Sequence, residues 1–278
     1  MSQHEDASYS IDLEVEVPGT PEQVWDAIAT GPGITAWFVP AEVTPGEGGR
    51  ISLDMDGGGT TGVITGWEPP RRLVYEEVWQ PEDVASSSKL ATEFLVEARD
   101  GNSCVVRLVT NVFGSSADWG DELGSMREGW TLFLHNLARY LEQFPGLPCG
   151  TAMATGKLDG SLQEAWAASA AALGIDAHAE PGAAVEVAVD DVTPMRGTVQ
   201  LFFDGEHHRG LVIDVESPVP GVLQLFDYAW RGDVFLNVHA YLYGDGATEA
   251  AAQLQTGLSP WMAAHFPMPE QADATVSS

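Results

Sequence analysis

The sequence predicts an α+β chain in which a curved antiparallel sheet is wrapped around a long helix, with a second, eroded copy of the same arrangement behind it. Three observations carry this expectation. Strand-length segments between residues 9 and 112 are joined by tight turns, which makes consecutive strands antiparallel neighbours. The run closes on a helical stretch, Trp119–Phe144, in which Leu123, Met126, Trp130, Phe133, Leu134, Leu137 and Leu141 recur at three and four, the stripe of a helix that lies on a sheet. The turn-then-helix layout of Gly19–Trp25 then returns as Gly160–Trp166, 141 residues later.

Taken in order, Tyr9–Val17 alternates Tyr9, Ile11, Leu13, Val15 and Val17 with Ser10, Asp12, Glu14 and Glu16, a strand with one apolar and one acidic face. Pro18-Gly19 ends it. Thr20-Pro21-Glu22-Gln23 offers an N-cap, a proline at the first helical position and a Gln three residues past the cap. The helix that follows presents Val24, Trp25, Ile28 and Ala29 and is expected to stop near Gly31-Pro32, with a second short helix over Ile34–Phe38. Strands are expected at Ala41–Val43, Arg50–Met55, Gly62–Trp67, Arg72–Trp79, Lys89–Ala98 and Ser103–Val112. Their joints carry Pro45-Gly46, Asp56-Gly57-Gly58-Gly59, Pro69-Pro70 and Asp100-Gly101-Asn102. Pro145–Thr151 cannot continue the long helix and reads as a domain joint. Beyond it, Pro181-Gly182 leads into the alternating Val185, Val187 and Val189. Further strands are expected at Thr198–Phe203, Leu211–Val215, Val222–Tyr228 and Val234–Leu242, and a last helix, Ala247–His265, turns Ala251, Leu254, Leu258 and Trp261 inward. The division expected is 1–148, 149–266 and a disordered tail, 267–278.

Forty-one acidic residues against twelve basic ones give a formal charge of -29 and a pI near 4.2. Such a chain repels nucleic acid and anionic membranes unless it carries a basic patch, and its only adjacent basic pair is Arg71-Arg72 after Pro69-Pro70. The acidity serves solubility or salt tolerance, or draws a basic partner. Cys104 sits in an alternating strand pattern and Cys149 in the Pro-Gly joint, without metal-like spacing. The first ten residues are polar, and no apolar run approaches the roughly 18–20 residues that cross a bilayer, so a soluble, cytoplasmic protein is expected.

Several segments resemble a known family. Val17–Ala27, Ile34–Phe38, Gly48–Ile51, Pro69–Tyr75, Gly129-Trp130 and Leu137–Leu141 stand in the order and spacing of the family related to the activator of the Hsp90 ATPase. That family belongs to the START-like superfamily, which also holds polyketide cyclases and the birch-pollen allergen. The resemblance covers about residues 8–145. It implies the helix-grip fold and a hydrophobic ligand enclosed between sheet and helix; separately, no cofactor is expected. Co-chaperone activity belongs to a small subset of the family and is not carried over.

A cavity under the long helix would be lined by Trp37, Phe38, Leu53, Val63, Tyr75, Phe94, Trp130 and Phe133, and nine tryptophans favour a cavity because rigid rings pack readily around a ligand. The same side chains also suit a filled core. Arg50, Glu76, Glu93, Arg107 and His135 are the polar groups able to face it. Arg50 with Glu76 also suits an ordinary cross-strand ion pair, and His135 a core or surface position. Asp204, Glu206, His207 and His208 could converge on a metal only if their turn brought them together, and Gly57–Gly59 lacks the helix a phosphate loop needs. Three functions follow: binding of a small apolar molecule, a cyclase-, aromatase- or hydrolase-like enzyme, and an interaction module in which the second copy meets a protein partner or a second chain.

Overall fold

The computed structural model describes residues 8–55, 58–79, 88–113, 119–189 and 192–268. The expected tail beyond 268 and the Asp56-Gly57 half of the glycine-rich turn lie outside the described residues. The chain folds into two sheet-and-helix units. The first runs β1 (Ser8–Pro18), α1 (Pro21–Ala29), α2 (Gly31–Thr35), β2 (Ala41–Val43), β3 (Arg50–Met55), β4 (Gly58–Glu68), β5 (Arg72–Trp79), β6 (Ser88–Arg99), β7 (Ser103–Phe113) and α3 (Trp119–Gln143). The second runs β8 (Cys149–Leu158), α4 (Leu162–Leu173), β9 (Ala184–Val187), β10 (Met195–Asp204), β11 (His208–Ser217), β12 (Gly221–Trp230), β13 (Asp233–Tyr243) and α5 (Ala247–His265). In each sheet the first strand pairs with the last and the others meander back from it, in the orders β1-β7-β6-β5-β4-β3-β2 and β8-β13-β12-β11-β10-β9.

The two units also start their helices alike. Thr20 and Gln23 form a capping box at α1, and Ser161 and Glu164 form one at α4, 141 positions on. Trp25 and Trp166, at matching places, are both buried.

The expected curved sheet around a helix is corrected by the topology. Both sheets are open, with β1 and β2 as the edges of one and β8 and β9 as the edges of the other, and neither is curled or closed. The reason lies in α3. It runs along β1 on one side and meets β11 and β12 on the other, so a second sheet covers the flank that one curved sheet would otherwise have to enclose. Leu134, Leu137 and Leu141 share a core with Ile11, Val106 and Leu108 of the first sheet, and that core continues into Val212, Val222, Tyr241 and Tyr243 of the second. The opposite face of the second sheet packs on α4 and α5.

Two further elements differ from expectation. The short helix spans Gly31–Thr35 rather than Ile34–Phe38, because Pro32 fits a helical first turn and the Thr30 side chain caps it through the Gly33 amide at 3.0 Å. β8 starts inside the expected joint, Pro145–Thr151, and runs on to Leu158, through residues with no expected strand. Its inward positions are the small Gly150, Ala152, Ala154 and Gly156, and a Cβ at Gly156 would lie 2.5 Å from the Phe266 Cβ. Close packing of the C-terminal helix thus demands small residues, which removes the alternation that marks a strand.

Polar bonds fix α3 to the second sheet along its length. Arg231 donates to Glu122 at 2.8 Å, the Ser125 hydroxyl to the Ala229 carbonyl at 3.2 Å, Gln224 to the Leu132 carbonyl at 3.3 Å and Arg139 to Asp214 at 2.5 Å. Midway, the Glu128 carboxylate accepts the backbone N–H groups of Glu206, His207 and His208 at 3.0, 3.0 and 2.8 Å. Glycine permits this approach: a Cβ at Gly205 would stand 2.3 Å from Glu128 Oε2, and one at Gly124 would stand 2.3 Å from His207 Nε2. Burial pushes the Glu128 carboxyl up, but the His208 side chain and the three amides outweigh it and bring it down to about 2. A depressed carboxyl stabilises the fold above its unfolded value of 4.5, and that contribution is lost as pH falls from 4.5 toward 2. Glu128→Ala is expected to cost about 2 kcal/mol in urea denaturation at pH 7, with the gap between variant and wild type narrowing at pH 3.

Candidate functional site

A cavity of about 320 Å³ lies between the two sheets beside the N-terminal half of α3. The first sheet contributes Leu53, Met55, Thr60, Tyr75, Glu77, Leu90, Thr92 and Thr110 from adjacent strands. One wall is helical, with Ser125, Met126, Gly129, Trp130 and Phe133, and Phe38 and Val39 close it beside α2. The second sheet supplies Met153, Thr155, His208, Phe226, Tyr228, Trp230, Asn237 and His239.

The walls are built from interlocked rings. Phe38 stacks on Trp130 with centroids 5.0 Å apart and meets Phe133 edge-on at 4.5 Å. Phe133 stacks on His239 at 6.1 Å, and His239 meets Phe226 edge-on at 5.4 Å, so the aromatic surface passes from one unit to the other. Two tyrosines hold this junction in register. Tyr241 donates to the Phe38 carbonyl at 2.5 Å and Tyr243 to the Ala36 carbonyl at 2.7 Å, while Asn136 donates to the Trp37 carbonyl at 2.7 Å.

A few polar groups interrupt the apolar lining. Burial pushes the Glu77 carboxyl up to about 7 and the His239 imidazole down to about 4, so both tend toward their neutral forms. Burial also lowers His208, although its Nδ1 stands 3.6 Å from Glu128, a close approach rather than a hydrogen bond. Among the described residues lining the cavity, His239 Nδ1, His208 Nδ1 and Thr60 Oγ1 are buried without a hydrogen-bond partner. These are the atoms a ligand's polar groups would meet.

Of the eight apolar residues picked out by sequence, Phe38, Leu53, Tyr75, Trp130 and Phe133 line this cavity. Trp37 and Phe94 stand behind it, with Trp37 stacked on Phe38 at 5.6 Å and Phe94 edge-on to Trp130 at 6.2 Å. Val63 is 48% exposed and lies away from the cavity.

None of the five polar residues lines it. Glu76 pairs with Lys89 at 3.8 Å, Glu93 with Arg72 at 2.5 Å and Arg107 with Asp12. Arg50 and Glu76 sit on β3 and β5, each opposite Val63 of the intervening β4, so they are not cross-strand neighbours. His135 lies farther along α3, lowered by burial and by the Arg139 charge. The amides of His207 and His208 bind Glu128, and among the described residues no three His, Cys, Asp or Glu side chains converge as a metal site. Both cysteines are free thiols.

The polar group missed, Glu77, was legible by parity. Strand side chains alternate, so an inward Tyr75 sends Glu77 inward and Glu76 outward, as an inward Phe94 sends Thr92 inward and Glu93 outward. His208 and His239 carried no comparable signal, since nothing local indicates that their sheet faces the first unit.

The fold and cavity define a protein of two sheet-and-helix units that share an interior lined with aromatic rings. Residues 18–142, somewhat under half of the chain, match the profile of the family described as activator of Hsp90 ATPase homolog 1-like protein, which relates the first unit to that family. Comparison with curated proteins gives no match. Among solved structures, CalU16 from Micromonospora echinospora is 22% identical, aligning 49% of this chain with 78% of its own at a TM-score of 0.39. The protein MLL2253 from Mesorhizobium loti is 21% identical over 49% of this chain and 98% of its own, with a TM-score of 0.43. DynU16, from the dynemicin biosynthetic locus, is 18% identical over 90% of this chain and 98% of its own, with a TM-score of 0.40. No helix among the described residues is long and apolar enough to cross a membrane.

Glu77 gives the cavity a pH signature. Because its folded value of about 7 lies above the ordinary 4.5, the native state holds the proton more tightly, and stability falls as pH rises from 4.5 through 7. Glu77→Gln removes that loss. The variant is expected to melt about 4 °C above wild type at pH 8 and level with it at pH 4, as followed by scanning calorimetry.

Proposed function

We propose that the chain binds a small apolar molecule in the cavity between α3 and the two sheets. The observation that carries this reading is the cavity itself: about 320 Å³ lined by rings and aliphatic side chains from both units, with buried polar atoms on His239 and Thr60 that find no partner within the described residues. Ligand pockets commonly have this makeup, concave and mainly apolar with a few orienting polar groups, and they favour junctions between domains. On this reading residues 1–148 and 149–266 are the two domains, and the second supplies the far wall rather than a separate pocket. Phe38, Leu53, Tyr75, Trp130 and Phe133 are then the contact residues of the first domain, faced by Phe226, Tyr228 and His239 of the second.

Gly129 allows a direct test. A Cβ there would lie 3.5 Å from His208 Nε2, an ordinary contact, so a larger side chain can enter the cavity without striking the backbone. Native mass spectrometry of protein purified from its own host, with a thermal-shift panel of lipids and aromatic polyketides, is expected to reveal a bound apolar species or a stabilising compound. Gly129→Leu is expected to abolish both signals while leaving the far-ultraviolet circular dichroism unchanged. Binding at full strength in Gly129→Leu would place the ligand elsewhere, and no binding by wild type would end the proposal.

A further inference from the structure

Glu77 is the one carboxyl group among the described residues that line the cavity. It projects from β5 into the cavity, one position beyond Tyr75 on the same face, with Leu90 opposite it on β6. Neither hydrogen bond nor ion pair holds its carboxyl among the described residues. Its neighbour in sequence is treated differently: Glu76, on the outer face, has Lys89, while among the described residues no lysine or arginine lines the cavity. Among the described residues, the titratable groups facing the same space are Tyr75 on its own strand, Tyr228 on β12, His208 on β11 and His239 on β13, whereas α3 presents Ser125, Met126, Gly129, Trp130 and Phe133. Neither imidazole is poised to supply the missing cation, because burial disfavours the charged form of both.

We propose that the occupant of this cavity is an apolar amine, whose ammonium group pairs with the Glu77 carboxylate while its hydrocarbon body lies among Phe38, Trp130 and Phe133. A half-buried carboxylate facing apolar walls is costly when alone and less so when a cation joins it, so the ligand completes a half-built ion pair. The rings beside it add a second attraction, since aromatic faces are electron-rich and favour ammonium groups. The whole chain points the same way. A formal charge of -29 lowers the potential around the molecule and draws cations toward any opening.

This inference rests on the ligand-binding reading above, and matched probes separate the two. Naphthylethylamine and propylnaphthalene have the same ring and nearly the same shape, but only the first carries a charge. Calorimetric titration of the full chain at pH 8 is expected to show the amine binding at least about tenfold more tightly, the gain of one charge-assisted hydrogen bond. In Glu77→Gln the two probes are expected to bind alike. Equal affinity of the probes for wild type overturns the amine proposal and leaves the apolar cavity standing, as does an amine advantage that survives in Glu77→Gln. If neither probe binds wild type, the cavity reading fails and the amine proposal with it. The wild-type comparison alone decides the question should Glu77→Gln fold poorly.

Discussion

Everything in this molecule depends on a helix held between two sheets, with an edge marked by Arg127, Thr131 and Glu142 left to solvent among its described side chains. α3 presses an apolar stripe against the first sheet and turns a polar row, Glu122, Ser125, Glu128, Leu132 through its carbonyl, and Arg139, against the second. Each residue in that row makes at least one bond, which offsets most of the cost of burying it, although Arg139 Nε finds no partner among the described residues. The Glu128 carboxylate sets the most demanding part of the fit, because three consecutive amides converge on it and glycines at 124 and 205 leave the room. Once the helix is held from both flanks, the sheets have no need to bend around it, and they remain open.

Much of this was legible in the residues and some was not, for definite reasons. The first unit's strands, both capping boxes and the offset between copies follow from alternation, turn chemistry and cap spacing, which are local properties. The stripe Leu123 to Leu141 likewise announced a helix on a sheet. What a single stripe cannot announce is a second burial on the polar flank, since a row such as Glu122, Ser125 and Glu128 looks the same whether it meets water or a bonded partner. β8 escaped for the opposite reason: its inward positions are glycine and alanine, sized for the Phe266 end of the chain and too small to raise the hydrophobic signal. The cavity residues divide in the same way. Rings such as Phe38 and Trp130 were identifiable by type and place, whereas Glu77 required attention to strand parity, and His239 required knowledge of which faces meet.

The charges sort by location. Outward pairs such as Arg107 with Asp12 and Lys89 with Glu76 lie at the surface, where water and salt reduce their contribution. Buried ionisable groups follow two distinct paths. Glu128 keeps its charge because the backbone solvates it, while Glu77 and His239 shift toward neutrality because little around them does. That contrast separates a group that fastens the architecture from groups that remain free to respond to whatever occupies the cavity.

The junction bonds also bear on how the polypeptide reaches this state. Tyr241 and Tyr243 grip carbonyls at Phe38 and Ala36, 203 and 207 positions earlier in the chain. During synthesis the N-terminal half therefore emerges with its long helix covered on one flank only, and it stays so until almost the whole chain has left the ribosome. Contacts that distant in sequence close slowly. Until the strands of the second sheet follow, the rings of the first unit lack the far wall that Phe226, Tyr228 and His239 supply.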